Sequence, residues 1–344
     1  MEARNVNNTS ANNSSFFFSS RVHSLYRAIL NNMYIFVFIA IVFFFAFASP
    51  NYIFLSPSNL TALLKLFPEF GIVVLGVGIL LIAGEIDLSV PSTIAFSAYI
   101  LALLLQNNVP GILAIFVVLA FGTFIGFING IITTKLKIPS FLTTLSMMML
   151  LRGILYTVSG MFTIGLRDLL LKDLFLVRFF VGELFSIPVQ FLWFSAFAVI
   201  FGFLLHFHVF GSWVYATGGN KDAARAVGIN TDRVKTICFM IVGLLSAFSA
   251  IIQVARMGQF SVVLGNFYEF QSIAACVIGG VSIFGGRGNI AGICLGAFAI
   301  PMFQTGIVLM GVPPTGITAF LGLMIAAFAI LNIYTHLRLS RLTK

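Results

Sequence analysis

The stretch Gly111-Ile112-Leu113-Ala114-Ile115-Phe116-Val117-Val118-Leu119-Ala120-Phe121-Gly122-Thr123-Phe124-Ile125-Gly126-Phe127-Ile128-Asn129-Gly130-Ile131-Ile132-Thr133-Thr134 carries no Asp, Glu, Lys or Arg, and Lys135 and Lys137 follow at once. As a helix rising 1.5 Å per residue it would cross the hydrocarbon layer of a bilayer, about 30 Å thick. Nine more apolar runs of similar character lie near 33–48, 62–82, 88–105, 139–159, 187–208, 236–256, 267–284, 290–310 and 317–335. Breaks such as Val109-Pro110-Gly111 and Val312-Pro313-Pro314 suit tight turns at a membrane surface. The expected fold is therefore an all-α polytopic membrane protein of about ten transmembrane helices.

Composition agrees. Of 344 residues, 60% are apolar or aromatic and 8% are charged, too few to clothe a water-soluble surface. The solvent for most of the chain is membrane lipid. The 40 Phe residues are given no separate functional meaning. Cys238, Cys276 and Cys294 all fall in apolar runs, which favours small buried side chains over a disulfide or a metal site.

Residues 1–32 form a polar tail rich in Asn and Ser, read as disordered or, through Phe16, Phe17, Phe18, Arg21 and Arg27, as a short surface segment. The run Met33 to Ala48 ends in the small-x-small form Ala46-Phe47-Ala48, which a signal peptidase can cut. The long polar lead favours an uncleaved first helix. The membrane region spans 33–335, and 336–344 is a basic tail.

Lys and Arg set the orientation. With the N-terminus in the cytoplasm, Arg4, Arg21, Arg27, Lys135, Lys137, Lys221, Arg225, Arg233, Lys235, Arg287, Arg338, Arg341 and Lys344 all lie inside. Both termini are then cytoplasmic, and the net charge of +9 follows without nucleic acid. Two loops are long, an outer one at 160–186 with an expected amphipathic helix on the membrane, and an inner one at 210–235.

The inner loop contains Gly219-Asn220-Lys221-Asp222-Ala223-Ala224-Arg225-Ala226-Val227-Gly228. Asn220 is an N-cap, Asp222 suits the positive helix end, Ala223, Ala224 and Ala226 propagate a helix, and Gly228 stops it. Such a helix presents a small apolar face suited to a groove on another protein; a plain connector is the alternative. Gly84, Gly279, Gly280, Gly285, Gly286 and Gly288 permit backbone turns in or near the bilayer, as broken or re-entrant helices lining a pathway, or else close helix packing.

Gly84-Glu85-Ile86-Asp87-Leu88-Ser89-Val90 is similar to the Gly-Gly-Ile-Asp-Leu-Ser-Val segment of the permease subunits of bacterial ABC importers of the ribose, xylose and galactose type. The stretch from Ala274 through Gly279-Gly280-Val281-Ser282-Ile283-Phe284-Gly285-Gly286-Arg287-Gly288 resembles their second glycine-rich signature. Asn129-Gly130 with Lys135-Leu136-Lys137-Ile138-Pro139-Ser140-Phe141 and the inner loop extend the resemblance over nearly the whole chain from the first span onward. It implies a monosaccharide permease of the bacterial inner membrane that pairs with a second copy or a paralogue. It further implies docking on two ATPase subunits, which hold ATP and Mg, and delivery of sugar by an extracytoplasmic binding protein. Gly219, Asn220, Ala223, Ala224, Arg225 and Gly228 are then the ATPase-coupling helix, and Gly84, Glu85, Asp87, Ser89, Asn129, Gly279, Gly280, Gly285 and Gly286 the translocation or signature set.

Two positions depart from the family, which usually has Gly at Glu85 and commonly at Pro91. Glu85 would either alter what passes or face the cytoplasm at a helix end. The sequence has no phosphate-binding Gly-x-x-x-x-Gly-Lys-Ser/Thr, so no ATPase site and no cofactor are expected in the chain itself. His206 and His208, two apart, cannot share a helix face. Asn129, Arg152, Gln253, Glu269, Gln271 and Gln304 are polar residues inside expected spans, none singled out as a ligand. Related permeases for autoinducer-2, nucleosides or branched-chain amino acids are the alternative. An ATPase-independent transporter would start its ion site from Glu269.

Overall fold

The computed structural model describes residues 33–324 with Ala326, Ala327 and Ile330. The two expected tails and the Phe16–Phe18 segment lie outside the described residues. The helices are α1 (Met33–Ala48), α2 (Pro57–Ile82), α3 (Val90–Gln106), α4 (Gly111–Lys135), α5 (Ser140–Ser159), α6 (Arg167–Lys172), α7 (Leu174–Val181), α8 (Val189–His206), α9 (Val209–Gly219), α10 (Lys221–Ala226), α11 (Thr231–Met257), α12 (Tyr268–Ile278) and α13 (Ile290–Leu309). Among the described residues, α2, α4, α5, α8, α11 and α13 are long and apolar enough to cross a membrane, and α1 and α3 are shorter apolar helices. Residues 317–324 are helical at the start of the last expected span.

One expected span is different. The apolar run at 267–284 holds only α12, 11 residues long, before the chain turns at Gly279 and Gly280. A helix of that length covers about half a bilayer core. Periodicity could not find this end, because the residues on both sides of it are apolar.

α2 from Phe67 onward and most of α11 are buried almost all round and form the centre. α11 packs on α4, α2 and α3, while α13 packs on α2, α12 and α1. The outside is apolar: Phe116, Phe124, Ile200 and Phe203 are each more than half exposed. Large hydrophobic residues turned outward on this scale need lipid rather than water.

α4 and α11 touch backbone to backbone. Gly122, Gly126 and Gly130 recur every four residues on one face of α4, against Gly243, Phe239 and Thr236 of α11, and a Cβ at Gly122 or Gly126 would overlap a carbonyl of α11. Small residues at this spacing let membrane helices approach closely, and dispersion then supplies the attraction that lipid cannot.

Near the other end of α11, the Arg256 guanidinium grips both Glu69 carboxylate oxygens of α2, each at 2.9 Å. Just beyond it, β1 (Ile164–Gly165) pairs antiparallel with β4 (Gln259–Phe260) and pins the long 160–186 loop. β2 (Glu183–Leu184) and β3 (Ile187–Pro188) form a second small hairpin. Within that loop α7 turns Leu176 and Phe180 into the bundle, with Phe180 against Trp193 and Phe248, and leaves Phe175 and Phe179 outside.

Candidate functional site: a glycine joint beneath a capped loop helix

Three stretches far apart in sequence meet at one end of the bundle. α2 ends with Gly84 at φ +82°, its N–H donating to Leu81 O at 3.0 Å and the Glu85 N–H to Leu80 O at 3.1 Å. α12 ends by the same device: Gly280 has φ +79°, and the Gly280 and Val281 N–H groups reach Val277 O and Cys276 O at 3.0 and 2.9 Å. A left-handed residue satisfies the last carbonyls of a helix, and glycine adopts it without a Cβ clash.

The loops that follow these two ends close on α9. Gly286 N–H donates to Ile82 O at 2.8 Å, and the Tyr215 hydroxyl to Gly288 O at 2.7 Å. Gly218 lies against the same Ile82 carbonyl, where any Cβ would overlap both that oxygen and the Gly286 nitrogen. Gly285 abuts Gly84 and Gly218, and Gly286 abuts Gly219. The two glycine signatures and the entry to the inner loop thus form one close-packed joint. Gly279 lies outside it, packed on Gly292 where α12 crosses α13.

The segment between Gly84 and α3 has no regular structure, and the amides of Ile86, Leu88 and Ser89 are taken up by side chains. Ile86 N–H donates to Ser140 Oγ at 3.3 Å and Leu88 N–H to Thr144 Oγ1 at 3.0 Å, both on α5. Asp87 Oδ1 accepts from the Ser89 N–H and hydroxyl at 2.8 and 2.6 Å, and Asn129 of α4 donates to Ser89 Oγ at 2.9 Å. Asp87, Ser89 and Asn129 are fully buried, so they act as one internal brace. Glu85 points away from this brace and pairs with Lys235 in the first turns of α11, the two side chains being 14% and 8% exposed. Its carboxylate therefore sits at the helix end, tied to the inner loop.

That loop is built as a rigid protrusion. Asn220 Oδ1 accepts from the Asp222 and Ala223 N–H groups at 3.1 and 3.0 Å, and Gly228 ends the turn at φ +88°. Arg225 ties α10 to α11 through Thr231 Oγ1 at 2.9 Å and an ion pair with Asp232. Ala224 is buried inward, whereas Ala223, Ala226 and Val227 face out, Val227 at 77% exposure.

Of the sequence candidates, Gly84, Gly219, Gly285 and Gly286 meet in the joint, with Glu85 beside it. Asp87, Ser89 and Asn129 form the brace behind it. Gly218, Tyr215 and Thr144 were not singled out by sequence; Ser140 counted there only as part of the 135–141 signature and Lys235 only as an inner positive charge. Among the described residues no group of three His, Cys, Asp or Glu side chains is placed to hold a metal. The three cysteines are free, Cys238 and Cys276 deeply buried.

Lipid-facing helices around such a joint define a multi-pass membrane protein with an organised loop at one end. The chain belongs to the family described as branched-chain amino acid transport system / permease component, whose model matches residues 59–329. It is 34% identical to the ribose import permease protein of Escherichia coli (strain K12) over 267 residues, 77% of this chain and 81% of that protein. It is 33% identical to the xylose/arabinose import permease protein of Sulfolobus acidocaldarius over 309 residues, 87% of this chain and 83% of that one. The fructose import permease protein of Rhizobium meliloti is 30% identical over 278 residues, 79% of this chain and 77% of that protein. No solved structure matches the chain.

Proposed function

We propose that this chain is the membrane permease subunit of an ATP-driven importer and passes a monosaccharide released by an extracytoplasmic binding protein. The observation that carries this reading is identity of 30–34% to ribose, xylose/arabinose and fructose import permeases over 77–87% of the chain. ATP and Mg belong to two partner ATPase subunits, and a second copy or a paralogue completes the membrane assembly. About ten spans cross the bacterial inner membrane, both termini are cytoplasmic, and the joint faces the cytoplasm. This orientation is supported by Lys135, Lys137, Lys221, Arg225, Arg233, Lys235 and Arg287, which all lie on the helix ends and loops at that end.

In this reading α10 is the coupling helix. Its outward face of Ala223, Ala226 and Val227 seats in a groove of the ATPase, and Arg225, Asp232 and Thr231 carry the displacement into α11. The joint links the same movement to α2, α9 and the loop after α12. A ligand-free permease switches between outward and inward forms only when the ATPases bind its two states differently, so a rigid handle is what the protrusion must supply.

The test is uptake by proteoliposomes containing the chain, its ATPases and its binding protein, offered labelled D-ribose, D-xylose, D-fructose and L-leucine. Uptake of a sugar is expected, abolished by Val227→Asp with ATP hydrolysis retained. A second reading, a branched-chain amino acid permease, is favoured by the family's description; uptake of leucine and of no sugar would establish it.

A further inference from the structure

A cleft of about 450 Å³ opens between the start of α3, the middle of α5 and the chain leading into α12, lined by Pro91, Arg152, Gly153, Tyr156, Phe267 and Glu269 among others. It is separate from the glycine joint. Ser140 and Thr144, which hold the Gly84 loop, lie at the start of α5, and Arg152 follows about two to three turns further along the helix. The far wall is the segment after α11, where Arg152 Nη1 donates to Val262 O. The cleft therefore lies about halfway along the bundle, on its flank beside the half-length helix α12, with Met149 and Phe267 at its exposed rim.

Its chemistry is unusual for a membrane interior. Glu269 is 8% exposed, and its Oε2 has no hydrogen-bond partner. A guanidinium carries five N–H donors, and the Val262 carbonyl takes up one of Arg152's. Ionisable side chains at this depth mark a substrate path by default, because lipid would penalise them and only water, protein or a polar ligand can satisfy them. The volume lies in the range of small-molecule sites. Besides Asn266, the remaining lining includes the aromatic Tyr156 and Phe267 with Pro91 and Met148, apolar surface next to a few polar groups.

That combination fits one class of ligand closely. A pyranose or furanose presents C–H faces that pack on rings, while its edge of neighbouring hydroxyls donates to a carboxylate and accepts from a guanidinium. Resting on the reading of the chain as a sugar permease, we propose that this cleft is the sugar-contacting station of the translocation path. Glu269 accepts from adjacent hydroxyls, Arg152 donates to ring or hydroxyl oxygens, and Tyr156 offers its face. The chain itself then contributes to substrate selection after the binding protein has released its cargo. Pro91, one of the two departures from the family pattern, forms part of the wall and shapes the station for this protein.

The test uses the full transporter in proteoliposomes with labelled D-ribose, D-xylose and D-fructose. Gly153 has nothing within 4 Å of a built Cβ, so Gly153→Cys introduces a thiol into the cleft without a clash. Complete modification of that thiol by a small methanethiosulfonate, followed by mass spectrometry, is expected to cut uptake at least tenfold, while the same reagent leaves the unsubstituted chain active. Glu269→Gln, of equal shape, is expected to slow uptake at least tenfold and to change the ranking of the three sugars, which a purely structural loss would not do. Should that variant fail to assemble, Tyr156→Ala, at a partly exposed wall position, carries the same prediction of a changed ranking. Full uptake after complete modification, or an unchanged sugar ranking, overturns the assignment and leaves the permease reading intact. A wild-type transporter that takes up no sugar overturns both.

Discussion

Glu85 and Lys235, 150 positions apart in sequence, form an ion pair that closes the seam between the loop after α2 and the first turns of α11. Both side chains are largely shielded from solvent, so each is the other's main compensation. Removing one partner of a buried pair typically costs about 3–5 kcal/mol, whereas replacing both with apolar groups is often nearly neutral. Glu85→Gln is therefore expected to lower the thermal midpoint of the detergent-solubilised protein sharply, and Glu85→Gln with Lys235→Met to restore most of it. A double variant no better than the single would show that the pair does not act as a unit.

Gly218 and Gly219 are neighbours with different surroundings. A Cβ on Gly218 would collide with backbone, whereas one on Gly219 meets only Gly286 Cα at 3.9 Å. Overpacking costs about 1–3 kcal/mol, more where the obstacle is main chain. Gly218→Ala is expected to reduce folded yield and thermal midpoint, and Gly219→Ala to be tolerated in both. Equal effects would remove the argument for a close-packed joint.

The α4–α11 contact makes a comparable contrast. Gly126→Leu places a side chain where Phe239 O and Met240 now lie and should prevent the two helices from docking, read as loss of a monodisperse peak in detergent. Gly153→Ala, with open space at its Cβ, should elute as wild type.

Arg256 is held by Glu69 in a two-toothed contact, and Glu69 is 6% exposed. Arg256→Ala leaves that carboxylate buried without its cation, with an expected loss of about 3–5 kcal/mol. Arg256→Lys should recover only part of it, because an ammonium cannot match the planar fork. Thermal unfolding followed by tryptophan fluorescence would measure the series.

Much of the architecture was legible in order along the chain. The charge-free run at 111–134 became α4, and Asn220 and Gly228 bound the loop helix where their side-chain and backbone preferences put them. The end of α12 was not, since a glycine pair within a long apolar run reads equally as packing or as a stop. Nor was the joint: Gly84, Gly218 and Gly286 carry no local sign that they touch, and contact between them follows only once α2, α9 and α12 are assembled. For Glu85, sequence left two placements open, and the deciding partner lay on α11. The four-residue spacing of Gly122, Gly126 and Gly130 in α4, by contrast, is a local signal of close helix packing that needs no partner to be read.

The glycine face of α4 also fixes how stiff the centre of the molecule is. α11 runs for 27 residues, about 40 Å, and between Thr236 and Ala247 little but backbone and small side chains separates it from its neighbour. Two main chains in direct contact have nothing compressible between them, so the pair tilts as a single shaft. A displacement of Thr231 would be carried along this shaft toward Met257, just short of the chain that forms one lip of the Arg152 recess.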